Sequence, residues 1–375
     1  MKTLRIFSRM LVGIVFMFSG FVKAVDPLGS TYKFQDYFTA FQMEWAHPFA
    51  LYLGILLCVA EFVIGVGLLF GTRMRMFAYA VTIFMTFFTI LTLVLAIYNP
   101  VSDCGCFGDA IKMTNWQTFY KNVVLMVFTL VIFAQRNRYG EPYNLMGRSL
   151  ILGLGSAFIL GISIYSYRHL PLLDFLPWKV GNKIADFVLP TPQESEIYLI
   201  YRNTETGETM EYTAANLPWQ DTVLMSKLEF VDQRQVVTQE YKDAPIHDFE
   251  IFDEEHNTIT EEIINNPGYQ FLLIVYDINK ANVNAFQRVN SIAEMATAEG
   301  ISFIALTGSI FEHADNFRHD VGALYQWYTV DETALKTIIR SNPGLVLLHD
   351  GVVVGKWAHR SLPSAEVMKS EYLKK

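Results

Sequence analysis

The chain has 375 residues, of which 52% are hydrophobic and 18% charged, with a mean hydropathy of +0.25. Soluble domains run near ~45–50% apolar and ~25% charged, so a simple soluble globule is excluded, as is a disordered or collagen-like chain. The net charge of −8 is unevenly spread: residues 1–170 carry 13 Lys+Arg and 7 Asp+Glu, whereas residues 171–375 carry 16 and 30. A basic, apolar first half and an acidic second half predict a membrane domain joined to a water-soluble one. The acidic half also argues against a nucleic-acid partner, since phosphates need Lys and Arg to neutralise them.

Five apolar stretches, 6–25, 48–70, 74–98, 118–134 and 149–167, are long enough to cross a bilayer, which takes ~20 residues of helix. The fourth is the weakest, because Lys121 and Asn122 stand in its first turn. Both are expected at the interface, with Lys121 snorkelling outward. Lys2, Arg5 and Arg9 open the first span, Arg73 and Arg75 link the second to the third, and Arg136, Arg138 and Arg148 lie between the fourth and fifth. The positive-inside rule makes that side cytoplasmic. The expectation is a multi-pass protein of the cytoplasmic (inner) membrane, in contact with the lipid bilayer, its N-terminus cytoplasmic. The loops 26–47 and 99–116 and everything after residue 167 then lie on the periplasmic or equivalent side. A cleaved signal peptide is the rival reading of the first span, but its polar end, Lys23-Ala24-Val25-Asp26-Pro27, is a poor cleavage site. The loop 26–47 carries Tyr32, Phe34, Tyr37, Phe38, Phe41 and Trp45, which predicts an amphipathic segment at the outer interface, with an aromatic belt as the plainer account.

Of the three cysteines, Cys58 lies within the second span and is expected to be a packed apolar residue. Cys104 and Cys106 stand in Ser102-Asp103-Cys104-Gly105-Cys106-Phe107-Gly108-Asp109, in the outer loop between spans three and four. Three readings fit this pair. A Cys-Gly-Cys disulfide closes a small strained ring, made feasible by Gly105, and strain makes a disulfide labile, as a dithiol exchanger needs. A structural disulfide pinning the loop is the second. A soft-metal site, helped by Met113 or His47, is the third, and two thiolates leave it short of ligands. Asp103 and Asp109 would raise the thiol pKa values, and a nearby helix N-terminus would lower them. Glu61 lies deep in the second span, where an acid is costly and by default functional. It is expected to be protonated, or paired with Arg9 or Lys23, either as a helix–helix tie or as a proton relay to a bound quinone.

The loop sequence Asp103-Cys104-Gly105-Cys106-Phe107-Gly108 after a third membrane helix resembles the DoxX/MauE family of small four-helix membrane proteins. Ser19-Gly20-Phe21-Val22-Lys23 in the first span, and Glu61 followed by Gly65, Gly67 and Gly71 in the second, resemble that family too. The resemblance covers about residues 1–135 and implies a redox-associated membrane protein. The MauE branch is linked to disulfide formation during methylamine dehydrogenase maturation, and the DoxX branch to quinone-coupled sulfur oxidation.

After the fifth span, 170–182 contains Pro171 and Pro177 and predicts a linker. Alternation over 196–212, broken at Asn203-Thr204-Glu205-Thr206-Gly207, signals a hairpin, and 228–240 a further strand. Residues 184–242 are thus a small β-rich extension. From Ala244 strands and helices alternate: strands at 248–253, 271–277 and 301–307, helices at 284–299, 311–321 and 332–339, then a hairpin of 345–349 and 352–357 across Asp350-Gly351. This β-α-β-α-β-β order is that of a thioredoxin-like sheet. Asn342-Pro343-Gly344 and the strand after it resemble the cis-proline strand of thioredoxins and of the TlpA-like periplasmic group, and Ala244-Pro245 before Asp248-Phe249 resembles that group's entry to its first strand. Where thioredoxins carry CxxC, this chain has Asp277-Ile278-Asn279-Lys280-Ala281-Asn282, and no cysteine follows Cys106. Such a domain does no thiol exchange itself. The resemblance implies a binding module that takes an extended peptide beside Asn342, Pro343 and Gly344; a structural cap is the alternative. His247, His256, His313, His319, His349 and His359 lack metal-ligand spacing, so no metal is expected.

The fold class is therefore a membrane all-α bundle, four DoxX/MauE-like helices plus a fifth transmembrane helix, followed by an α/β thioredoxin-like domain. The divisions are 1–135 (four-helix membrane domain), 136–169 (cytoplasmic loop and fifth span), 170–243 (linker and β-rich extension) and 244–375 (thioredoxin-like domain). Cys104, Cys106 and Glu61 are the candidate catalytic residues. The expected function is oxidation of extracytoplasmic protein thiols by the Cys104–Cys106 disulfide, with electrons passed to a membrane quinone and no covalently bound cofactor. The rivals are a non-enzymatic scaffold or assembly factor holding partner subunits, and a subunit of a sulfur-compound:quinone oxidoreductase.

Overall fold

A computed structural model describes residues 2–101, 103–140, 142–246 and 249–373. Six helices make the N-terminal region: α1 (Lys2–Val25), α2 (Pro27–Ala40), α3 (Ala50–Phe70), α4 (Met74–Tyr98), α5 (Asn115–Ala134) and α6 (Leu145–Arg168). All but α2 are long and apolar enough to cross a membrane. The amphipathic segment expected after the first span is α2. Asp26 caps it by accepting from the Gly29 N–H, and Pro27 occupies the first turn. Helix α5 begins at Asn115, three residues earlier than the apolar run, because Thr114 and Gln117 form a reciprocal capping box.

Helices α1 and α3 approach closely across small residues. A Cβ on Gly65 would stand 2.4 Å from the Met17 backbone nitrogen, and one on Gly20 would stand 2.6 Å from the Cys58 carbonyl oxygen. Small residues let membrane helices meet backbone to backbone. Val12, Phe16, Leu68, Phe77, Leu125 and Ile132 form the bundle core. Large side chains such as Leu56, Ile83, Phe87 and Val127 are exposed on the helix flanks, as lipid contact requires. The two ends of the bundle differ. At one, Arg5 donates to the Arg138 carbonyl at 2.8 Å. The other carries α2, the Cys104/Cys106 loop and the C-terminal domain.

That domain contains two sheets. β1 (Glu194–Asn203), β2 (Thr209–Thr213) and β3 (Leu228–Gln239) form an antiparallel sheet of order β2-β1-β3. The second has order β6-β5-β4-β7-β8, with β4 (Tyr269–Val275) central. β5 (Ser302–Thr307) and β6 (Gln326–Thr329) continue it in parallel, while β7 (Gly344–His349) and β8 (Val352–Ala358) pair antiparallel. Alternate residues of β4 feed two cores: Phe271, Leu273 and Val275 pack with Phe286 and Trp327, and Leu272 and Ile274 with Leu335 and Trp178. Burial on both faces explains the unbroken apolar run in the sequence.

Strand β6 leaves no signal in the sequence, because Gln326-Trp327-Tyr328-Thr329 is a short edge strand. Two expectations are corrected. Of the segment 248–253, residues 249–253 form no strand: Phe252 makes only isolated bridges, to Thr258 and Thr329, and Asp248, like His247, lies outside the described residues. The segment 170–182 is no simple linker. Trp178 is fully buried against Phe249, the Gly181 N–H donates to the Val353 carbonyl and the Ile184 N–H to that of Gly351.

Candidate functional site

The dithiol loop is built by two glycines and an acid. Gly105 and Gly108 take φ of +63° and +52°, where a Cβ is strained. The Asp103 carboxylate accepts from the Gly105 N–H at 2.9 Å and pairs with Lys33 of α2 at 2.9 Å. The Tyr37 hydroxyl donates to the Cys104 carbonyl at 2.6 Å. Ser102, at the start of the motif, lies outside the described residues. The two sulfurs stand 3.2 Å apart, unbonded and within hydrogen-bond reach of each other. Their environments split them. A hydrogen bond from Cys104, aided by the charges of Lys121 and Lys23 and opposed by burial and by Glu61, holds Cys106 down to about 6. Its place as donor to Cys106, together with burial, pushes Cys104 well up. The two aspartates that sequence set beside the thiols are otherwise engaged: Asp103 by Lys33, Asp109 by Arg340.

Under this loop the bundle is tied by one ammonium. Lys23 donates to Glu61 at 2.8 Å, to Ser19 at 2.7 Å and to the Cys106 carbonyl, which also accepts from Ser19 at 2.8 Å. Both Lys23 and Glu61 are buried. Of the two partners foreseen for Glu61, the structure takes Lys23. Cys104, Cys106 and Glu61 therefore share one site.

They share it with a cavity of about 240 Å³ whose walls include Phe16, Phe84, Phe88, Phe107 and Leu125. Lys121 lines the same cavity, its ammonium 4.5 Å from the centre of the Phe107 ring. The outward snorkelling expected of Lys121 is thus corrected: the aromatic face and the site hold it in. Asn122 turns into the bundle too, donating to Thr92 at 3.1 Å. Cys58 donates to the Ile55 carbonyl at 3.0 Å. His47 stacks on Phe38 and meets Thr39 at 3.2 Å. Among the described residues no three His, Cys, Asp or Glu side chains gather to hold a metal.

The C-terminal domain reaches this end of the bundle through Arg340. Its buried guanidinium pairs with Asp26, at the α1–α2 junction, at 2.9 Å, and with Asp109, three residues past Cys106, at 3.0 Å. It also faces the Tyr32 ring at 5.2 Å. Two residues on, Asn342–Pro343 is a cis peptide. Asn342, Pro343 and Gly344 are buried. The Asn342 carbonyl accepts from the Asn282 N–H at 3.1 Å and Gly344 is paired within the sheet, so these residues present no free strand edge. Just past β4, Asp277 pairs with Lys280 at 2.7 Å. Sequence reasoning missed Ser19, Tyr37, Lys121 and Arg340 as site residues. Lys121 left a signal, a cation inside an apolar run, and so did Ser19, within the motif of the first span; Arg340 left none.

Residues 1–135 match the family model of methylamine utilisation protein MauE. The chain is thus a multi-pass membrane protein with a MauE-like N-terminal region, followed by an α/β domain. No curated protein and no solved structure matches the chain.

Proposed function

We propose that this protein oxidises thiols outside the cytoplasm at Cys104 and Cys106 and delivers the electrons to a membrane quinone in the adjoining cavity. The observation that carries this reading is the shared wall: both cysteines line an apolar, aromatic cavity within the bundle that also holds Lys23, Glu61 and Lys121. Aromatic walls suit a quinone ring, and ammonium groups suit its oxygens.

In the oxidised state a client thiolate attacks the Cys104–Cys106 disulfide. The S–S bond breaks, a mixed disulfide forms, and the client's second thiol displaces it, leaving the client oxidised and the pair reduced. The pair is then in the form described above, with Cys106 as thiolate and Cys104 as its donor. Closing the S–S bond releases two electrons to the quinone. The Cys104 proton and one proton from solvent complete the quinol.

The C-terminal domain is proposed to be thioredoxin-like and to lie in the periplasm, with the basic end of the bundle in the cytoplasm. The β5-β4-β7-β8 order and the cis Asn342–Pro343 bond support the first of these. A client segment beside Asn342, Pro343 and Gly344 would have to displace the Asn282 contact. Cys104→Ser and Cys106→Ser, each in the full chain, test the function: client oxidation should be abolished in both while the fold persists. Normal oxidation in either would defeat the proposal. A second reading, a scaffold with a structural Cys104–Cys106 bond, is favoured by two observations: Arg340 clamps the C-terminal domain to this loop, and the sequence holds no second cysteine pair to relay electrons.

A further inference from the structure

The cations around the dithiol are not equivalent. Lys23 is matched by Glu61, and Lys33 by Asp103. Arg340 is matched by Asp26 and Asp109. Lys121 lines the cavity between them and, among the described residues, no carboxylate pairs with it; its contact is the face of Phe107. A cation among apolar walls gains most when an anion forms within reach, because the low dielectric magnifies the attraction. The site creates such anions at two moments: the Cys106 thiolate when the pair is reduced, and the oxygens of the acceptor as they take up electrons.

We infer that Lys121 is a further catalytic residue, the counter-charge for the Cys106 thiolate and for the negative charge that develops on the acceptor. The second half of this role rests on the quinone-linked reading. The first half rests only on this chain. Cys106 faces Cys104 in its own loop, Lys23 of α1, Glu61 of α3 and Lys121 of α5, with Tyr37 and Lys33 of α2 lining the same cavity. The α4 side contributes only apolar groups such as Phe84 and Phe88. Removing Lys121 leaves Lys23, already neutralised by Glu61, as the cation beside Cys106. The apolar walls favour an acceptor that enters uncharged, and Lys121 favours one that becomes anionic on reduction.

The test uses the full chain in nanodiscs with Lys121→Met and Lys121→Arg. In a Cys104→Ser background, where the serine hydroxyl keeps a donor for Cys106, N-ethylmaleimide alkylation is followed against pH. The midpoint should rise by about one unit in Lys121→Met and return in Lys121→Arg. With both cysteines present, single-turnover reduction of a short-chain ubiquinone by the dithiothreitol-reduced protein should fall about 100-fold in Lys121→Met. The quinone concentration for half-maximal rate should stay within about threefold, as expected for a transition-state contact. An unmoved alkylation midpoint with a wild-type reduction rate would overturn the inference and leave the quinone reading standing. A wild-type protein that fails to reduce quinone, with a midpoint that still moves in Lys121→Met, would defeat the quinone reading and retain Lys121 as counter-charge of the thiolate.

Discussion

Replacing Glu61 by Leu would leave the Lys23 ammonium buried without its carboxylate, with only the Ser19 hydroxyl and the Cys106 carbonyl as acceptors. Breaking a buried pair by removing one partner costs ~3–5 kcal/mol, because the remaining charge is uncompensated, whereas replacing both partners by apolar groups is often close to neutral. The single variants Glu61→Leu and Lys23→Met are therefore expected to lose about 3–5 kcal/mol each. The double variant should lose much less than the sum, since it buries no charge; what it forgoes is the ammonium tie to the Cys106 carbonyl. Equilibrium unfolding in mixed micelles, fitted as a double-mutant cycle, reads the coupling, which should be several kcal/mol. Additive losses in the double variant would refute the reasoning, for they would mean that each side chain acts alone. The cycle also separates structure from chemistry: a double variant that folds but no longer oxidises thiols places the pair in the reaction as well as in the fold.

Gly65→Val should separate α1 from α3, because the added Cβ would stand 2.4 Å from the Met17 backbone nitrogen; cross-linking between cysteines placed on the two helices should fall sharply, and unchanged cross-linking would contradict the packing. Alkylation of reduced Cys106 should persist through neutral pH and decline as the pH falls through about 6, where the thiolate takes a proton, as followed by mass spectrometry of the labelled peptide; a decline near the ordinary thiol range of ~8–9 would contradict the environment described. Arg340→Ala leaves Asp26 and Asp109 without their shared partner, so the C-terminal domain should loosen and the buried Cys104 should be labelled at least several-fold faster by a charged maleimide; equal labelling would mean that the contact does not shield the loop.

Much of this was legible in the chain. A hydrophobic run of sufficient length has one solution in a bilayer, so all five spans could be placed to within a few residues. Continuous apolar strands likewise announced β4 and β5, and Asp350-Gly351 announced the turn between β7 and β8, where both residues take positive φ. What stayed hidden depends on contacts between distant segments. Lys121 looks like an interfacial lysine until the Phe107 ring and the cavity are placed beside it. Arg340 is separated by 231 residues from Asp109 and by 314 from Asp26, and no local pattern links them. Trp178 looks like linker because Pro171 and Pro177 precede it; its burial appears only when Phe249 arrives from the other side. For Glu61, sequence offered two partners, and helix rotation, fixed by the glycine contacts of α1 with α3, selects Lys23.

The most direct measurement is the redox state of Cys104 and Cys106 in native membranes, by thiol mass-tagging with and without depletion of the quinone pool. Coupled turnover predicts a pair that is oxidised with quinone present and accumulates as dithiol when it is withdrawn. A pair that stays oxidised under both conditions would make it a structural staple and contradict the proposed function.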